Sequence, residues 1–366
     1  MSKKILVLGI ETSCDDTSIC LLRGEIGASK QRPEVLALQS FSQDLLHHKW
    51  GGVVPEIAAR NHLVKLAPLL ENIFKSVSTS SSNLSPKNID LIGVTTYPGL
   101  LGPLLTGVNA AKTLSLLYKL PLVGVNHLYA HLEAIHLDQS VSYPYFGVLV
   151  SGGHSLFLLA HSPTNFEVLG GTIDDAAGEA FDKGGKLLGL GYPAGQKIDQ
   201  LAKQGDASAF TFPIGLRHSK TSELSYSGVK TSLRSLIEAT PELYCHTVES
   251  QNRQIVYDVC ASYQNAITEA LILKAKIAIK QSNSQKLPIV VGGGVACNSH
   301  LRTCFKKEFS NPNFVSPKFC TDNGAMIANY ALRVPELVLA YPDNLVLDAK
   351  GRFLQKNNAI ANRGET

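Results

Sequence analysis

Hydrophobic runs alternate with polar turns along this chain and predict an alternation of strands and helices. Two stretches, residues 3–22 and 145–160, each place a short polar or glycine-containing turn between two apolar runs, which is typical of a β-hairpin. Because both hairpins share this design, they indicate an internal duplication in which one hairpin opens each half of the protein.

Apolar residues recur at helical spacing in several other segments. They predict helices over 56–74, 176–190 and 254–282, a helix from Asn298, and a late helix in CTDNGAM with Thr321 or Asp322 as its N-cap. Strands and helices that alternate in this way favour an α/β fold with mixed sheets.

Composition narrows the class of protein. The 366 residues suit two domains, and 44% hydrophobic with 17% charged residues excludes a disordered chain. The net charge of +4 permits an anionic partner. Seven cysteines without a CxxC pair favour a reducing compartment. The apolar run at 5–10 is too short for a signal peptide or a membrane span, so we expect a soluble intracellular protein.

The stretch NHLYAHLEAIHL, residues 126–137, invites a metal interpretation. Four positions advance a helix by about 400°, so His127 and His131 project from one face and can bind one ion. His136 lies about 140° further around the axis and faces away. The metalloprotease signature needs His-Glu-x-x-His, whereas Glu133 stands two positions after His131. The spacing therefore excludes that class of peptidase.

A third metal ligand must come from elsewhere in the chain. Asp322, at the start of the late helix, is a residue of the right kind. Two imidazoles and one carboxylate with open positions suit Fe²⁺ or Zn²⁺.

Three glycine-rich turns follow predicted strands in the second half: SGGH at 151–154, YPAGQ at 192–196 and GGGVACN at 292–298. Exposed backbone N–H groups beside a helix start can bind phosphate. None of the turns matches the Walker or dinucleotide pattern, and any single one is more typical of an ordinary tight turn. Three together indicate a nucleotide cleft.

Acidic residues lie at two further places. Asp15 and Asp16 occupy the tip of the first hairpin, where a carboxylate can orient a nucleophile, hold a metal-bound water or act as a base, or can be a solvated turn residue. Asp175, Glu179 and Asp182 share one face of the helix predicted over 176–190. That face is either solvated or lies near a cation or ligand hydroxyls.

Ten motifs between about residues 5 and 335 occur in the order of one known family. They are LGIETSCDDTS, GGVVPEIAARNH, YPGLLGPLLTG, GVNHLYAH, VLVSGGHS, IDDAAGEAFDK, LGYPAGQ, LSYSGVKT, GGGVACN and CTDNGAMIA. Together they resemble the tRNA threonylcarbamoyladenosine transferases of the TsaD type, formerly described as O-sialoglycoprotein endopeptidases.

The resemblance implies a fold of the actin-like ATPase, sugar kinase and heat-shock ATPase type, with two lobes and a nucleotide between them. We expect an N-terminal lobe over 1–142 that is completed by 322–345, a C-terminal lobe over 143–321, and a polar tail over 346–366. The resemblance also implies a reaction: a threonylcarbamoyl group passes from threonylcarbamoyl-adenylate to N6 of the adenosine 3′ of the anticodon, and AMP is released.

The resemblance assigns site residues by position. His127, His131 and Asp322 match the ligands of one divalent metal ion, with Fe²⁺ expected and Zn²⁺ as the alternative. Asp15 matches a catalytic position in the first hairpin. Residues that match adenylate-binding positions are Leu149, Val150, Ser151, Gly152, Gly153, Asp182, Gly195, Asp199 and Asn298.

Partners and compartment follow from the same resemblance. We expect tRNA to bind basic side chains in or beside the irregular segment 205–232, namely Arg217, His218, Lys220, Lys230 and Arg234. A bacterial, cytoplasmic protein implies a paralogous TsaB-like subunit and a small TsaE-like ATPase; a mitochondrial or plastid protein implies a homodimer. No membrane is involved.

Two alternatives to the transferase stay open at this point. One is a non-catalytic scaffold paralogue in the same complex, which the intact metal residues argue against. The other is a metallo-glycopeptidase, which the missing HExxH argues against.

Overall fold

A computed structural model describes residues 4–27, 31–77, 84–240, 243 and 253–352. The chain divides into two compact units. The first contains the described residues of Met1–Val141, Ser162–Asn165 and Thr321–Lys356, and the second those of Ser142–His161 and Phe166–Cys320. The division into an N-terminal lobe over 1–142 with 322–345 and a C-terminal lobe over 143–321 stays a prediction. Residues 353–366 of the expected polar tail lie outside the described residues.

The strands form two sheets of five. They are β1 (Lys4–Glu11), β2 (Asp16–Glu25), β3 (Glu34–Ser42), β4 (Leu91–Tyr97), β5 (Leu122–Asn126), β6 (Tyr145–Val150), β7 (Ser155–Ser162), β8 (Asn165–Gly171), β9 (Ile289–Gly292) and β10 (Asn313–Phe314).

The α-helices flank the sheets. They are α1 (Asp44–His48), α2 (Pro55–Val77), α3 (Leu101–Tyr118), α4 (His127–Glu133), α5 (Ala177–Leu187), α6 (Gly195–Ala202), α7 (Ser227–Ala239), α8 (Arg253–Gln281), α9 (Ser299–Glu308), α10 (Pro317–Cys320) and α11 (Gly324–Arg333). Short 3-10 helices are described at Pro86–Asn88, Ala134–Leu137, Gly294–Cys297, Pro335–Leu337 and Asp343–Val346.

The two sheets repeat one topology. The first has the order β3-β2-β1-β4-β5, and the second, written in reverse, has the order β8-β7-β6-β9-β10. In each, an antiparallel hairpin (β1 with β2, β6 with β7) is extended on the other side by two parallel strands. The predicted hairpins, the duplication and the α/β class with mixed sheets are therefore confirmed. The architecture is of the expected actin-like ATPase type.

Burial explains why β1 is continuously apolar. Residues Leu6–Glu11 are all buried, because β1 is the central strand and helices cover both faces of a parallel sheet region. A β-carbon at Gly9 would lie 2.1 Å from the Gly324 carbonyl oxygen, so α11 packs directly on this strand. This contact fixes the start of α11 against the first sheet.

The predicted helices are confirmed, with one error at a helix start. α2, α5, α8 and α9 cover the four predicted segments to within a few residues, and Asn298 is the N-cap of α9. The N-cap of α11 is neither Thr321 nor Asp322: the Asn323 side chain accepts a hydrogen bond from the Met326 N–H at 3.0 Å. The carboxylate of Asp322 is therefore not used in capping. Among the described residues, no helix is long and apolar enough to cross a membrane.

Candidate functional site

The two histidines of the opening motif lie at the end of a buried strand in the first unit. β5 ends at Asn126, whose side-chain oxygen accepts hydrogen bonds from the Leu128 and Tyr129 N–H groups and starts α4. His127 is then the first residue of α4 and His131 stands one turn later. Both are buried, so their imidazoles are shielded from water.

Three side chains meet at this point. The Nε2 atoms of His127 and His131 lie 3.2 Å apart, and the Asp322 Oδ1 atom lies 3.4 Å and 3.0 Å from them, respectively. One potential ligand atom from each residue lies within 4.8 Å of the other two. The structure thus brings together the three residues expected to bind a metal, across 191 positions of sequence.

The donor set fits a divalent metal ion. Glu11 accepts a hydrogen bond from His127 Nδ1 at 3.1 Å, and the Ser13 hydroxyl lies 3.2 Å from the same atom. With its proton on Nδ1, His127 directs the lone pair of Nε2 toward His131 and Asp322. A carboxylate on the outer nitrogen is the usual arrangement for a metal-binding histidine.

Glu11 is itself held in place. Its Oε2 atom accepts a hydrogen bond from the Thr95 hydroxyl at 2.6 Å, and its Oε1 atom accepts one from the Ser13 N–H at 2.5 Å. The Glu11 side chain is fully buried. A buried carboxylate with three hydrogen-bond partners keeps one orientation, so the imidazole of His127 is fixed as well.

The electrostatics of this cluster favour a cation. Burial disfavours a charge on His127, but Asp322 and Glu11 outweigh burial and raise the pKa of His127 to about 9. Burial and the nearby Asp322 raise the pKa of Asp15. Burial, Asp322 and Asp15 together raise the pKa of Asp16 to about 8. Carboxylates that repel one another in this way are stabilised by a bound dication.

His136 and Glu133 belong to a different contact, as the helical geometry predicts for His136. Glu133 is fully buried and accepts a hydrogen bond from Arg333 Nε at 2.8 Å, while His136 Nε2 lies 3.8 Å from the same carboxylate. The ion pair between Glu133 and Arg333 joins α4 to α11. Glu133 therefore holds two helices together in the first unit.

The expected adenylate residues lie in the second unit, where a tight turn joins β6 to β7. The Ser151 N–H donates to the His154 carbonyl oxygen at 2.8 Å, and the Ser151 hydroxyl accepts from the His154 N–H at 3.2 Å. A β-carbon at Gly152 or Gly153 would meet nothing within 4 Å. The space that a side chain at either glycine would fill is therefore open.

Two glycines outside this turn allow other backbone to pack against it. A β-carbon at Gly178 would lie 2.6 Å from the Ser151 carbonyl oxygen, and one at Gly293 would lie 2.4 Å from the Val150 carbonyl oxygen. Gly293 also has a φ of +93°, which favours glycine. Leu149 and Val150 are fully buried and support the turn from beneath.

The other expected adenylate residues fix neighbouring helix starts in the same unit. Asp182 accepts from the Ala194 N–H at 2.8 Å, just before α6 begins at Gly195. Asp199 accepts from the Ser299 N–H at 3.1 Å and from its hydroxyl at 2.9 Å.

Asn298 has a capping contact of the same kind. Its side-chain oxygen accepts from the Leu301 N–H at 2.9 Å, and its Nδ2 donates to Gln264 Oε1 at 2.7 Å. The Asp182 contact thus ties α5 to the start of α6, the Asp199 contacts tie α6 to the start of α9, and Asn298 ties the start of α9 to α8.

The acidic motif at 174–186 is arranged differently from the prediction. α5 begins at Ala177, so Asp175 precedes the helix and the predicted shared face with Glu179 and Asp182 is wrong. Asp175 instead forms ion pairs with Lys183 and Lys230. The ammonium groups of two lysines therefore neutralise the carboxylate of Asp175.

Four residues of the two sites had no assigned role in the sequence: Glu11, Ser13, Thr95 and Gly178. Glu11 and His127 are 116 positions apart, and nothing in the spacing of either motif links them. The one available signal was a glutamate at the end of an otherwise apolar strand. Gly178 was visible only as one more glycine within an acidic motif.

Comparison with known proteins gives a consistent set of relatives. The family model of the tRNA N6-adenosine threonylcarbamoyltransferases (TsaD) matches residues 34–329. A relative with that name from Trichlorobacter lovleyi is 42% identical over 332 residues, covering 88% of this chain and 90% of its own. One from Thermosipho africanus is 43% identical over 331 residues, covering 88% and 92%.

A solved structure supports the fold independently. The crystal structure of full-length HypF in the phosphate- and nucleotide-bound form superposes with a TM-score of 0.52 and 14% identity. The match covers 91% of this chain and 47% of that protein. At this level of identity the likeness concerns the fold alone.

Proposed function

This chain belongs to the tRNA N6-adenosine threonylcarbamoyltransferase family, and from that premise we propose how it carries out the transfer. It is a tRNA-modifying transferase. The donor is threonylcarbamoyl-adenylate, and the acceptor is N6 of adenosine 37, 3′ of the anticodon, in tRNAs that read codons beginning with adenine. AMP is released. The observation that carries the proposal is the meeting of His127, His131 and Asp322 at hydrogen-bonding distances.

His127, His131 and Asp322 hold one divalent metal ion in this proposal, with Fe²⁺ as the expected ion and Zn²⁺ as the alternative. When bound, the ion supplies a Lewis acid and a template for the threonylcarbamoyl end of the donor. Glu11 holds a proton on Nδ1 of His127, so that Nε2 is the nitrogen that would bind the ion. The intact set of ligands also argues against a non-catalytic scaffold, which has no use for them.

The turn Ser151-Gly152-Gly153 binds the phosphate of the adenylate through the backbone N–H groups of its two glycines, since the Ser151 N–H is already bonded to the His154 carbonyl oxygen. The open backbone at both glycines supports this assignment. As the bond to the carbamoyl carbon breaks, negative charge develops on the AMP oxygen that leaves. Preorganised N–H groups stabilise such charge without rearranging, because their orientation is already fixed by the protein.

Asp15 orients the incoming amine of the adenosine by accepting a hydrogen bond from it. Its place in the turn after β1, electrostatically coupled to Asp322, supports this role. Asp15→Asn keeps the size of the side chain and changes its acceptor capacity. We expect this variant to lose transfer activity by about 100-fold while binding metal normally, in line with typical losses of acid–base groups.

The transfer is tested by incubating the purified protein with tRNA, threonine, bicarbonate, ATP, an adenylate-forming enzyme and the expected partner subunits. Modified adenosine is measured by mass spectrometry of digested tRNA. His131→Ala is the matched inactive variant. No modified nucleoside with any combination of partners would refute the proposal, and near-normal transfer by Asp15→Asn would refute the role of that residue.

Partners and compartment are part of the proposal. Because the relatives are bacterial proteins of similar length, we infer a cytoplasmic enzyme that works with a paralogous TsaB-like subunit and a small TsaE-like ATPase. Arg217, Lys220 and Arg234 are exposed and suit contacts with tRNA phosphates. Lys230 is half-buried and paired with Asp175, so it suits a structural role better.

A further inference from the structure

Helix α8 carries a fully buried lysine, in the second unit. The Nζ atom of Lys274 donates hydrogen bonds to the carbonyl oxygens of Ser219 and Thr221, at 2.9 Å and 3.0 Å. An ammonium group loses its hydration inside a protein, so lysines are rarely buried. Burial lowers the pKa of Lys274, although the nearby charge of Glu223 opposes this effect. The two carbonyl oxygens replace the lost water and are in turn held firmly by the lysine.

The backbone held in this way is a turn over residues 216–221, which we call the basic turn. Its Ser219 N–H donates to the Leu216 carbonyl oxygen at 3.0 Å, and Leu216 has a φ of +52°. A leucine is strained in this left-handed region, and such strain persists only where the surroundings enforce it. Gln281, the last residue of α8, donates from Nε2 to the Lys220 carbonyl oxygen at 2.9 Å. Three consecutive carbonyl groups of the turn thus accept hydrogen bonds from α8.

The two ends of the basic turn are anchored separately. A β-carbon at Gly215 would lie 2.0 Å from the Ser225 carbonyl oxygen, so the chain before the turn packs directly on the chain after it. The Ser222 hydroxyl donates to the carbonyl oxygen of Leu169 in β8, at 2.6 Å. Because the ends are already fixed, the hydrogen bonds from α8 act on the shape of the turn itself.

The exposed side chains of the basic turn include two cations. Arg217 and Lys220 are both exposed, as is His218 between them. Among the described residues, neither cation forms an ion pair with a carboxylate. Lys230, by contrast, pairs with Asp175. Two such cations on an ordered turn can neutralise phosphates that have a fixed spacing, as in the backbone of a folded RNA.

We propose that Lys274 is a positioning residue for tRNA: it holds the basic turn in one shape, in which Arg217 and Lys220 meet two phosphates of the tRNA backbone. A side chain on an ordered turn loses less conformational entropy on binding than one on a flexible turn, so this arrangement raises affinity. Lys274 itself does not touch the RNA, because it is fully buried. This role rests on the proposed function, since tRNA is the ligand in both.

Binding is measured with the full-length protein, alone and with the expected partner subunits, by fluorescence anisotropy of labelled tRNA at several salt concentrations. Lys274→Met keeps the length of the side chain and removes its ammonium group. We expect this variant to bind tRNA about 10-fold more weakly, because the basic turn is no longer held. Lys276→Met is the matched control: Lys276 has the same charge on the same helix, but it is exposed and pairs with Glu308. Its tRNA affinity should equal that of wild type.

Variants of the exposed cations separate positioning from direct contact. Arg217→Gln combined with Lys220→Gln should weaken tRNA binding at least about 10-fold. It should also lower the slope of log affinity against log salt by about 1.5, at about 0.7–0.9 for each lost phosphate contact. Adding Lys274→Met to this double variant should cost less than about 2-fold more, because no cation is left to position. Gln281→Ala changes an exposed residue and should weaken binding about 3-fold without loss of folding.

Two readouts distinguish positioning from a general loss of structure in Lys274→Met. AMP binding, measured by calorimetry, should be unchanged, because the turn 151–153 is held by its own packing contacts. In the transfer assay, the KM for tRNA should rise about 10-fold, while kcat at saturating tRNA stays at the wild-type value. A variant that had lost its structure would show weaker AMP binding and a lower kcat.

Wild-type tRNA affinity in Lys274→Met, an equal loss in Lys276→Met, or a full further loss in the triple variant would each overturn the role of Lys274. So would a lower kcat with an unchanged KM for tRNA. If Lys274→Met does not fold, wild-type affinity in Gln281→Ala overturns the role instead. Binding is measured without transfer, so a protein that binds tRNA through the basic turn but never forms the modified nucleoside would contradict the proposed function alone.

Discussion

Replacing Glu11 by glutamine tests whether the metal site depends on a residue outside the three ligands. The two oxygens of Glu11 have different partners: Oε2 accepts from the Thr95 hydroxyl and His127 Nδ1, and Oε1 accepts from the Ser13 N–H. All three partners donate to Glu11: the Thr95 hydroxyl, the Ser13 N–H and the protonated Nδ1 of His127. A glutamine has one carbonyl oxygen, so its amide group must face one of these donors.

The size of the effect follows from this geometry. If the amide faces the Ser13 N–H, one buried donor is left unpaired, at a cost of about 1–3 kcal/mol. If it faces His127, the Nδ1 proton loses its acceptor. In either orientation the imidazole loses its charged carboxylate partner. Loss of such a partner usually weakens metal binding by about 10- to 100-fold. We therefore expect Glu11→Gln to bind Zn²⁺ or Fe²⁺ at least about 10-fold more weakly than wild type.

Metal affinity is measured by competition with a chromophoric chelator at pH 7.5, and folding is checked by urea unfolding of the metal-free proteins. Glu133→Gln is the matched control, because Glu133 is also a fully buried glutamate of the first unit but pairs with Arg333. It should lower stability, since a buried pair is broken, and leave metal affinity unchanged. Wild-type affinity in Glu11→Gln, or an equal loss in both variants, would show that Glu11 does not position His127.

Three further predictions concern other parts of the sites. His131→Ala removes one of three ligands and should abolish stoichiometric metal binding, measured by elemental analysis of the purified protein; unchanged stoichiometry would exclude this site. Gly178→Ala places a methyl group 2.6 Å from a carbonyl oxygen of the phosphate turn and should weaken AMP binding about 10-fold in calorimetry, whereas Gly228→Ala, with open space around it, should not. Burial raises the pKa of Asp175, but its two lysine partners outweigh burial and hold this pKa below its ordinary value of 3.8. The ion pairs thus stabilise the protein above about pH 4 and lose this effect as the pH falls through the lowered pKa. Asp175→Asn should lower the free energy of unfolding at pH 7 and flatten its decline between about pH 4 and pH 2 in urea titrations; a parallel decline would contradict this.

Local patterns in the sequence were sufficient for the elements and for two of the three metal ligands. The apolar runs around each hairpin specify strands that are buried on both faces, because helices cover both sides of the sheet there. Helical spacing places His127 and His131 on one face, because four positions make about one turn. The capping error at α11 shows the limit of such patterns: Thr321, Asp322 and Asn323 are all good capping residues, and the packing of Gly324 on β1 selects the third.

The sequence by itself thus determined the α/β alternation, the duplicated hairpins, the histidine pair and, through ordered motifs, the family. The tertiary structure alone decided which distant groups meet. It placed Glu11 on the outer nitrogen of His127 and paired Asp175 with Lys230. These contacts depend on how sheets and helices pack, and packing joins residues whose separation along the chain has no fixed period.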